Sequence, residues 1–137
     1  MRAVRYARYG APDVLRIEEV ARPVPAQDEV LVRVHATTAT RTDCGLRGAE
    51  YVVARFFTGL FRPRRQTIGI EFGGEVESAG ATVGEFAVGD RVFGIGTGTN
   101  AEYVSVGERD VIARVPDGLT YEEAAAVPDG ALSAISL

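Results

Sequence analysis

Apolar and polar residues alternate along much of this chain, with the two-residue period of a β-strand. The clearest run covers residues 29–37, where Val30, Val32 and Val34 would share one face and a more polar face would carry Arg33 and His35. The same pattern predicts shorter strands over residues 3–9, 14–20, 74–78, 91–94, 101–106 and 111–115.

Glycine and proline separate these runs. The chain has 16 glycines and 6 prolines, and Gly10-Ala11-Pro12-Asp13 has the composition of a turn between the first two strands. Many short strands with glycine turns are typical of a β-barrel or sandwich. We therefore expect a fold that is mainly β with short helices.

Two short helices are predicted from capping residues. Thr40 and Asp43 are N-cap candidates before a helical turn at 44–47. Thr120 and Glu123 have the spacing of a capping box before a helix at 124–127. A further helix is predicted over 129–137 after the interruption at Pro128, and another over 51–60.

Composition excludes several classes of function. The net charge is −4, whereas binding to nucleic acid needs a basic face. Cys44 is the only cysteine, so the chain cannot form an internal disulfide. No apolar segment reaches the roughly 20 residues of a membrane span, and the amino terminus lacks the apolar region of a signal peptide. We expect a cytoplasmic protein that does not bind membranes.

The stretch 68–94 contains seven glycines between strand-like runs. It belongs to an ordered series of segments: VLRIEEV from residue 14, DEVLVRV from 28, TD from 42, GIEFGGEV from 69, VGDRVFG from 88, AEYV from 101 and EEAAA from 122. This series resembles the amino-terminal, GroES-like domain of the medium-chain dehydrogenase/reductase family. The resemblance implies a GroES-like, partly open β-barrel over residues 1–126. It also implies that residues 127–137 begin a helix leading into a Rossmann domain absent from this chain.

The zinc-dependent members of that family place a cysteine three residues before the aspartate of the Thr-Asp motif and a histidine before the glutamate of the glycine-rich stretch. Here these positions hold Thr40 and Ile70. An aliphatic side chain cannot bind a metal, and a threonine hydroxyl is not an expected zinc ligand. The chain therefore resembles the zinc-independent, quinone oxidoreductase-like branch, and no metal site is expected.

That branch implies a hydride transfer from NADPH or NADH to a quinone, an enone or a related carbonyl. The cofactor would be bound mainly by the missing domain, so the fragment alone is expected to be inactive. The resemblance implies a small-molecule substrate and a homodimer as the full-length protein.

Five residues are candidates for the site. Thr40 and Asp43 take the places of a family Asn-x-x-Asp motif on the substrate side, although Asp43 could equally be an N-cap or turn aspartate. Tyr51 has a phenol that could donate to a substrate oxygen. Asp129 and Ser133 would approach the cofactor, at positions where relatives carry an alanine-like residue and a threonine.

Other chemically capable residues are expected to be structural. His35 and Cys44 are expected to pack, Tyr103 to lie in the core, and Glu71 to form an inward ion pair. The arginine cluster at 61–65 could attract an anionic cofactor or substrate, but a solvated loop is the simpler interpretation. The sequence at 94–100 mimics a phosphate-binding loop, yet it runs into a strand and is expected to be a turn.

Two alternative functions remain open at this point. One is a non-catalytic GroES-like binding or assembly module, as in co-chaperonins. The other is a zinc alcohol dehydrogenase-like enzyme with displaced ligands such as His35, Cys44 and Glu71.

Overall fold

The computed structural model describes residues 1–48 and 59–135, which are mainly β with short helices. The described strands are β1 Arg2–Arg5, β2 Arg16–Glu19, β3 Glu29–Thr37, β4 Glu71–Ala79, β5 Arg91–Ile95, β6 Tyr103–Gly107 and β7 Ile112–Arg114. The described helices are α1 Arg41–Gly48, α2 Tyr121–Ala125 and α3 Pro128–Ile135. A 3-10 turn, Pro12–Val14, joins β1 to β2.

Five of these strands form one antiparallel sheet in the order β6-β3-β4-β5-β7. The sheet curls into a half-barrel, which confirms the GroES-like, partly open β-barrel implied by the resemblance. β1 and β2 form a separate antiparallel pair. Isolated bridges from Ala3 to Ala101 and from Arg5 to Thr67 attach this pair to the segments just before β6 and before β4.

The core is built mainly from the apolar face of the strands. Val30 and Val32 of β3 are fully buried and pack with Phe72 and Val76 of β4. The predicted polar face of β3 holds for its second half, but Leu31 is buried as well, so the first half of this central strand is covered on both faces. A smaller cluster is formed by Tyr6, Val14 and Ile68.

Local chemistry fixes the helix ends. The Thr120 side chain accepts from the Glu123 amide, and the Glu123 carboxylate accepts from the Thr120 amide, which confirms the predicted capping box. α3 begins at Pro128, one residue earlier than predicted, because proline has the backbone angle of a first helical residue and needs no donor there. Among the described residues no helix is long and apolar enough to span a bilayer.

Candidate functional site

Thr40 and Asp43 contact each other at the start of α1. Asp43 Oδ2 accepts from the Thr40 amide at 2.8 Å and from the Thr40 hydroxyl at 3.1 Å, and the Asp43 amide points back to Thr40 Oγ1 at 3.3 Å. This reciprocal arrangement is a capping box with aspartate in the third helical position. The two predicted site residues therefore lie together, with Thr40 as the capping residue and Asp43 as its partner.

Asp43 is buried, at 4% exposure, and among the described residues only its Oδ2 has hydrogen-bond donors. Oδ1 has no hydrogen-bond partner within the part of the chain that the structure describes. A buried acceptor without a donor is uncommon in native proteins because it loses its hydration without replacement. The Asp43 carboxylate therefore has hydrogen-bonding capacity that α1 does not use.

A second buried carboxylate, Glu71, joins the end of β3 to the start of α3. One of its oxygens accepts from the Thr38 hydroxyl and the other from the Asp129 amide at 2.9 Å. Glu71 is 2% exposed, and no basic side chain pairs with it among the described residues. Among the described residues, a hydroxyl and a helix amide satisfy this carboxylate in place of the expected ion pair, and the helix amide places it at the positive end of α3.

A cavity of about 490 Å³ opens beside Ile70, the residue that precedes Glu71. The described residues that line this cavity are Tyr6, Leu46, Arg64, Arg65, Thr67, Ile68, Gly69, Ile70 and Thr97. Most of this wall is apolar or neutral, and the charged groups are two guanidinium groups. This is the usual composition of a small-molecule site, in which apolar walls surround a few oriented polar groups.

Gly69 shapes the wall of this cavity. Its φ of +109° is a backbone conformation that favours glycine, and a Cβ there would lie 2.4 Å from the Asn100 amide nitrogen. The Gly69 carbonyl accepts from the amides of Gly98 and Thr99 at 2.9 and 3.2 Å. These amides of the glycine-rich loop are therefore occupied within the protein. The loop leads into strand β6, which confirms the predicted turn.

Tyr6 is a cavity residue that the sequence did not single out. Its side chain is 6% exposed, and its backbone amide donates to the Gln66 carbonyl at 2.8 Å. Burial raises the pKa of the Tyr6 phenol above its ordinary value of 10.0, and the nearby Tyr9 and Asp43 raise this pKa further. The phenol is therefore protonated at neutral pH. The only sequence signal was its place in an alternating run, which does not distinguish a core tyrosine from a cavity tyrosine.

The remaining predicted site residues lie in different places. Asp129 and Ser133 are both on α3, with the Asp129 amide bound to Glu71. Tyr51 lies outside the described residues. Tyr103, expected in the core, is half-buried beneath the Arg22 guanidinium, which lies 3.8 Å from its ring centroid.

The alternative metal ligands do not form a cluster. His35 stacks on Tyr121 with ring centroids 4.6 Å apart, Cys44 is exposed, and Glu71 is buried against Thr38 and α3. Within residues 1–48 and 59–135, no group of three histidine, cysteine, aspartate or glutamate side chains could hold a metal ion. The described side chains of His35, Cys44 and Glu71 therefore do not come together as the ligands of a zinc ion.

Comparison with known proteins gives consistent matches. The sequence profile described as "Alcohol dehydrogenase GroES-like domain" matches residues 26–117. The chain is 31% identical over 130 residues to a quinone oxidoreductase from Sus scrofa, covering 93% of this chain and 37% of that protein. It is 34% identical over 131 residues to a quinone oxidoreductase from Lama guanicoe, again covering 93% of this chain and 37% of that protein.

Solved structures show the same relationship. The quinone oxidoreductase from Coxiella burnetii superposes with a TM-score of 0.84 at 27% identity, covering 99% of this chain and 43% of that one. A mycobacterial protein complexed with NADPH superposes with a TM-score of 0.82 at 29% identity, covering 98% of this chain and 40% of that one. The chain thus spans less than half the length of the relatives that it matches.

Proposed function

Because the chain belongs to the family of alcohol dehydrogenase GroES-like domains, within the medium-chain dehydrogenases/reductases, we propose that it is the substrate-side domain of an NAD(P)H-dependent oxidoreductase. The reaction is the reduction of a quinone, an enone or a related carbonyl without zinc. Residues 1–126 form this domain, and residues 127–137 begin the helix towards a Rossmann domain. The full-length enzyme is a homodimer.

The observation that carries this proposal is the cavity beside Ile70. It combines apolar walls with a buried, protonated phenol at Tyr6. An aromatic acceptor fits such walls, and a phenol can donate a hydrogen bond to a carbonyl oxygen. The quinone oxidoreductases that match over 93% of the chain support the choice of acceptor.

The residues on α3 fit the neutral end of a nicotinamide cofactor. A partly exposed carboxylate at Asp129 and a hydroxyl at Ser133 can bind carboxamide and ribose groups, whereas a carboxylate would repel phosphates. When bound, the cofactor supplies the hydride. The protein's own part is to hold the acceptor, exclude water and orient α3, for which Glu71 fixes the Asp129 amide.

Thr40, Asp43 and Tyr51 complete the proposed substrate side. The Thr40 hydroxyl is bound to Asp43, so we assign these two residues to positioning the wall formed by α1, to which Leu46 belongs. Tyr51 supplies a second phenolic donor. The Ile70 side chain has no atom that can bind a metal, and the Thr40 hydroxyl is hydrogen-bonded to Asp43. We therefore propose a reaction without zinc.

The test is an assay of the full-length protein. We expect it to oxidise NADPH in the presence of menadione or benzylideneacetone, and to keep this rate after exhaustive dialysis against a chelator. Loss of the rate on dialysis and its return with added zinc would refute the zinc-free mechanism. No turnover with a broad panel of quinones and enones would refute the proposed reaction.

A further inference from the structure

We infer that the substrate of this site carries an anionic group, of carboxylate type, and that Arg64 and Arg65 bind it at the cavity beside Ile70. This inference rests on the proposed function and specifies its substrate class. The sequence alone favoured a solvated loop for the arginine cluster at residues 61–65. The inference gives two of these arginines a role in substrate specificity.

The first argument is the charge of the cavity wall. Two of its nine described residues are arginines and none is acidic, although the chain as a whole carries a net charge of −4. Acidic residues outnumber basic ones in the chain by 19 to 15, yet no acidic residue is among the described residues that line this cavity. The local excess of positive charge is therefore a property of the site, and it favours an anion there.

The second argument is the availability of the two guanidinium groups. Arg64 has no ion pair or hydrogen bond from its side chain to any other described residue. Arg65 donates from Nη1 to the Thr97 hydroxyl at 2.7 Å, and Thr97 lines the same cavity. A guanidinium carries five N–H donors, so this single bond holds Arg65 at the wall and leaves most of its donors for a ligand.

The third argument is the arrangement of polar and apolar surface. Leu46, Ile68 and Ile70 supply apolar wall, whereas Arg64 and Arg65 are adjacent in the chain and both exposed to solvent. A ligand that matches both features has an apolar body and one anionic end. Planar guanidinium groups bind a carboxylate through paired hydrogen bonds, which fixes the ligand's orientation as well as its charge.

The cofactor's phosphates are another possible source of an anion. We assign the anion to the substrate because the same cavity contains Ile70 and Tyr6, which form the proposed acceptor site, whereas the cofactor candidates lie on α3. Binding measurements with separate ligands distinguish the two sources.

The experiment is calorimetric titration of the full-length protein with a matched pair of enones. One is para-carboxybenzylideneacetone, and the other is its carboxamide, which has nearly the same shape without the charge. We expect the carboxylate to bind about tenfold or more tightly than the carboxamide, since charge-assisted bonds are roughly twice as strong as neutral ones. Arg64→Gln and Arg65→Gln should each reduce this preference, and the double variant should abolish it.

Arg62→Gln is the matched control. It removes the same charge from the same segment, but Arg62 does not line this cavity. We expect Arg62→Gln to retain the preference for the carboxylate. The substituted arginines are exposed, so all variants should keep the wild-type circular dichroism spectrum.

Three results would overturn the inference: equal or undetectable binding of both enones, an Arg62→Gln effect as large as that of Arg64→Gln, or displacement of the carboxylate by inorganic phosphate or NADPH at equal concentration. Each leaves the proposed reaction intact, because that reaction is judged by NADPH oxidation with neutral acceptors.

Discussion

At the scale of single residues, Thr40 has a structural role that can be separated from any contact with substrate. Thr40→Ala removes the cap of α1 and one donor to the buried Asp43 carboxylate. We expect a loss of about 1–3 kcal/mol in the free energy of unfolding, measured by urea denaturation.

Thr40→Ser is the control for this prediction, because serine keeps the hydroxyl and caps helices as well as threonine does. It should unfold within about 0.5 kcal/mol of the wild type. If the alanine variant were equally stable, the reciprocal bonds between Thr40 and Asp43 would not contribute to folding.

Tyr6 gives a prediction for alkaline pH. Burial, followed by Tyr9 and Asp43, raises the pKa of the Tyr6 phenol in the folded protein, whereas the unfolded chain ionises near 10.0. Between these two pKa values only the unfolded state gains from losing the proton, so stability falls as pH rises above 10.0. Tyr6→Phe should therefore lose less stability than the wild type between about pH 9 and about pH 11.

Urea denaturation of both proteins across this range measures the difference. The tyrosines other than Tyr9, which is coupled to Tyr6, are present unchanged in both proteins, so their contribution cancels in the comparison. Parallel loss of stability in the two proteins would contradict the raised pKa of Tyr6.

At the scale of elements, Glu71 links three of them: β4, the end of β3 and the start of α3. Glu71→Ala leaves the Thr38 hydroxyl and the Asp129 amide without their acceptor. We expect a loss of roughly 1–3 kcal/mol in the free energy of unfolding. We also expect faster hydrogen exchange at the Asp129 amide, measured by NMR, because the first turn of α3 loses its anchor.

Glu75→Gln is the matched control on the same strand. Glu75 pairs with Arg33 at 3.6 Å on the partly exposed face of β4, where such a pair contributes little. It should change stability by less than about 0.5 kcal/mol and leave exchange at Asp129 unchanged. Equal effects of the two substitutions would mean that the buried bonds of Glu71 do not hold α3.

Local signals explain which elements the sequence could predict. β3 and the capping box at Thr120 and Glu123 depend on neighbours in the chain, and both predictions were confirmed. The bonds of Glu71 connect residues 33 and 58 positions away, so the family resemblance indicated an inward carboxylate but not these partners. The same limit applies to Tyr6, whose backbone amide pairs with Gln66 in the segment before β4, 60 positions away.

At the scale of the whole molecule, the sequence pattern indicated a β-barrel or sandwich but did not give the order of strands. β3 pairs with β4 and with β6, which lies further along the chain, and valines of both partners pack with the buried Val30 and Val32 of β3. Periodicity along one strand carries no information about which other strand completes that face. The order came from the structure.

This strand order predicts how stability is distributed. β3 is paired on both sides and contains the fully buried Val30 and Val32, whereas β7 has three residues and, among the described strands, pairs only with β5. Amides of β3 should exchange only through global unfolding, so their exchange free energy should equal the unfolding free energy from urea denaturation. Amides of β7 should exchange through local opening, at a free energy lower by several kcal/mol, with little dependence on urea.

Hydrogen exchange by NMR at increasing urea concentrations separates the two mechanisms, because global opening exposes much surface and local opening exposes little. The β3 amides should show the full urea dependence of unfolding at every concentration. The β7 amides should converge on that dependence only near the unfolding midpoint. If β7 instead exchanged at the global free energy without added urea, the half-barrel would open as one cooperative unit. An edge strand with one partner would then be as strongly held as the centre of the sheet.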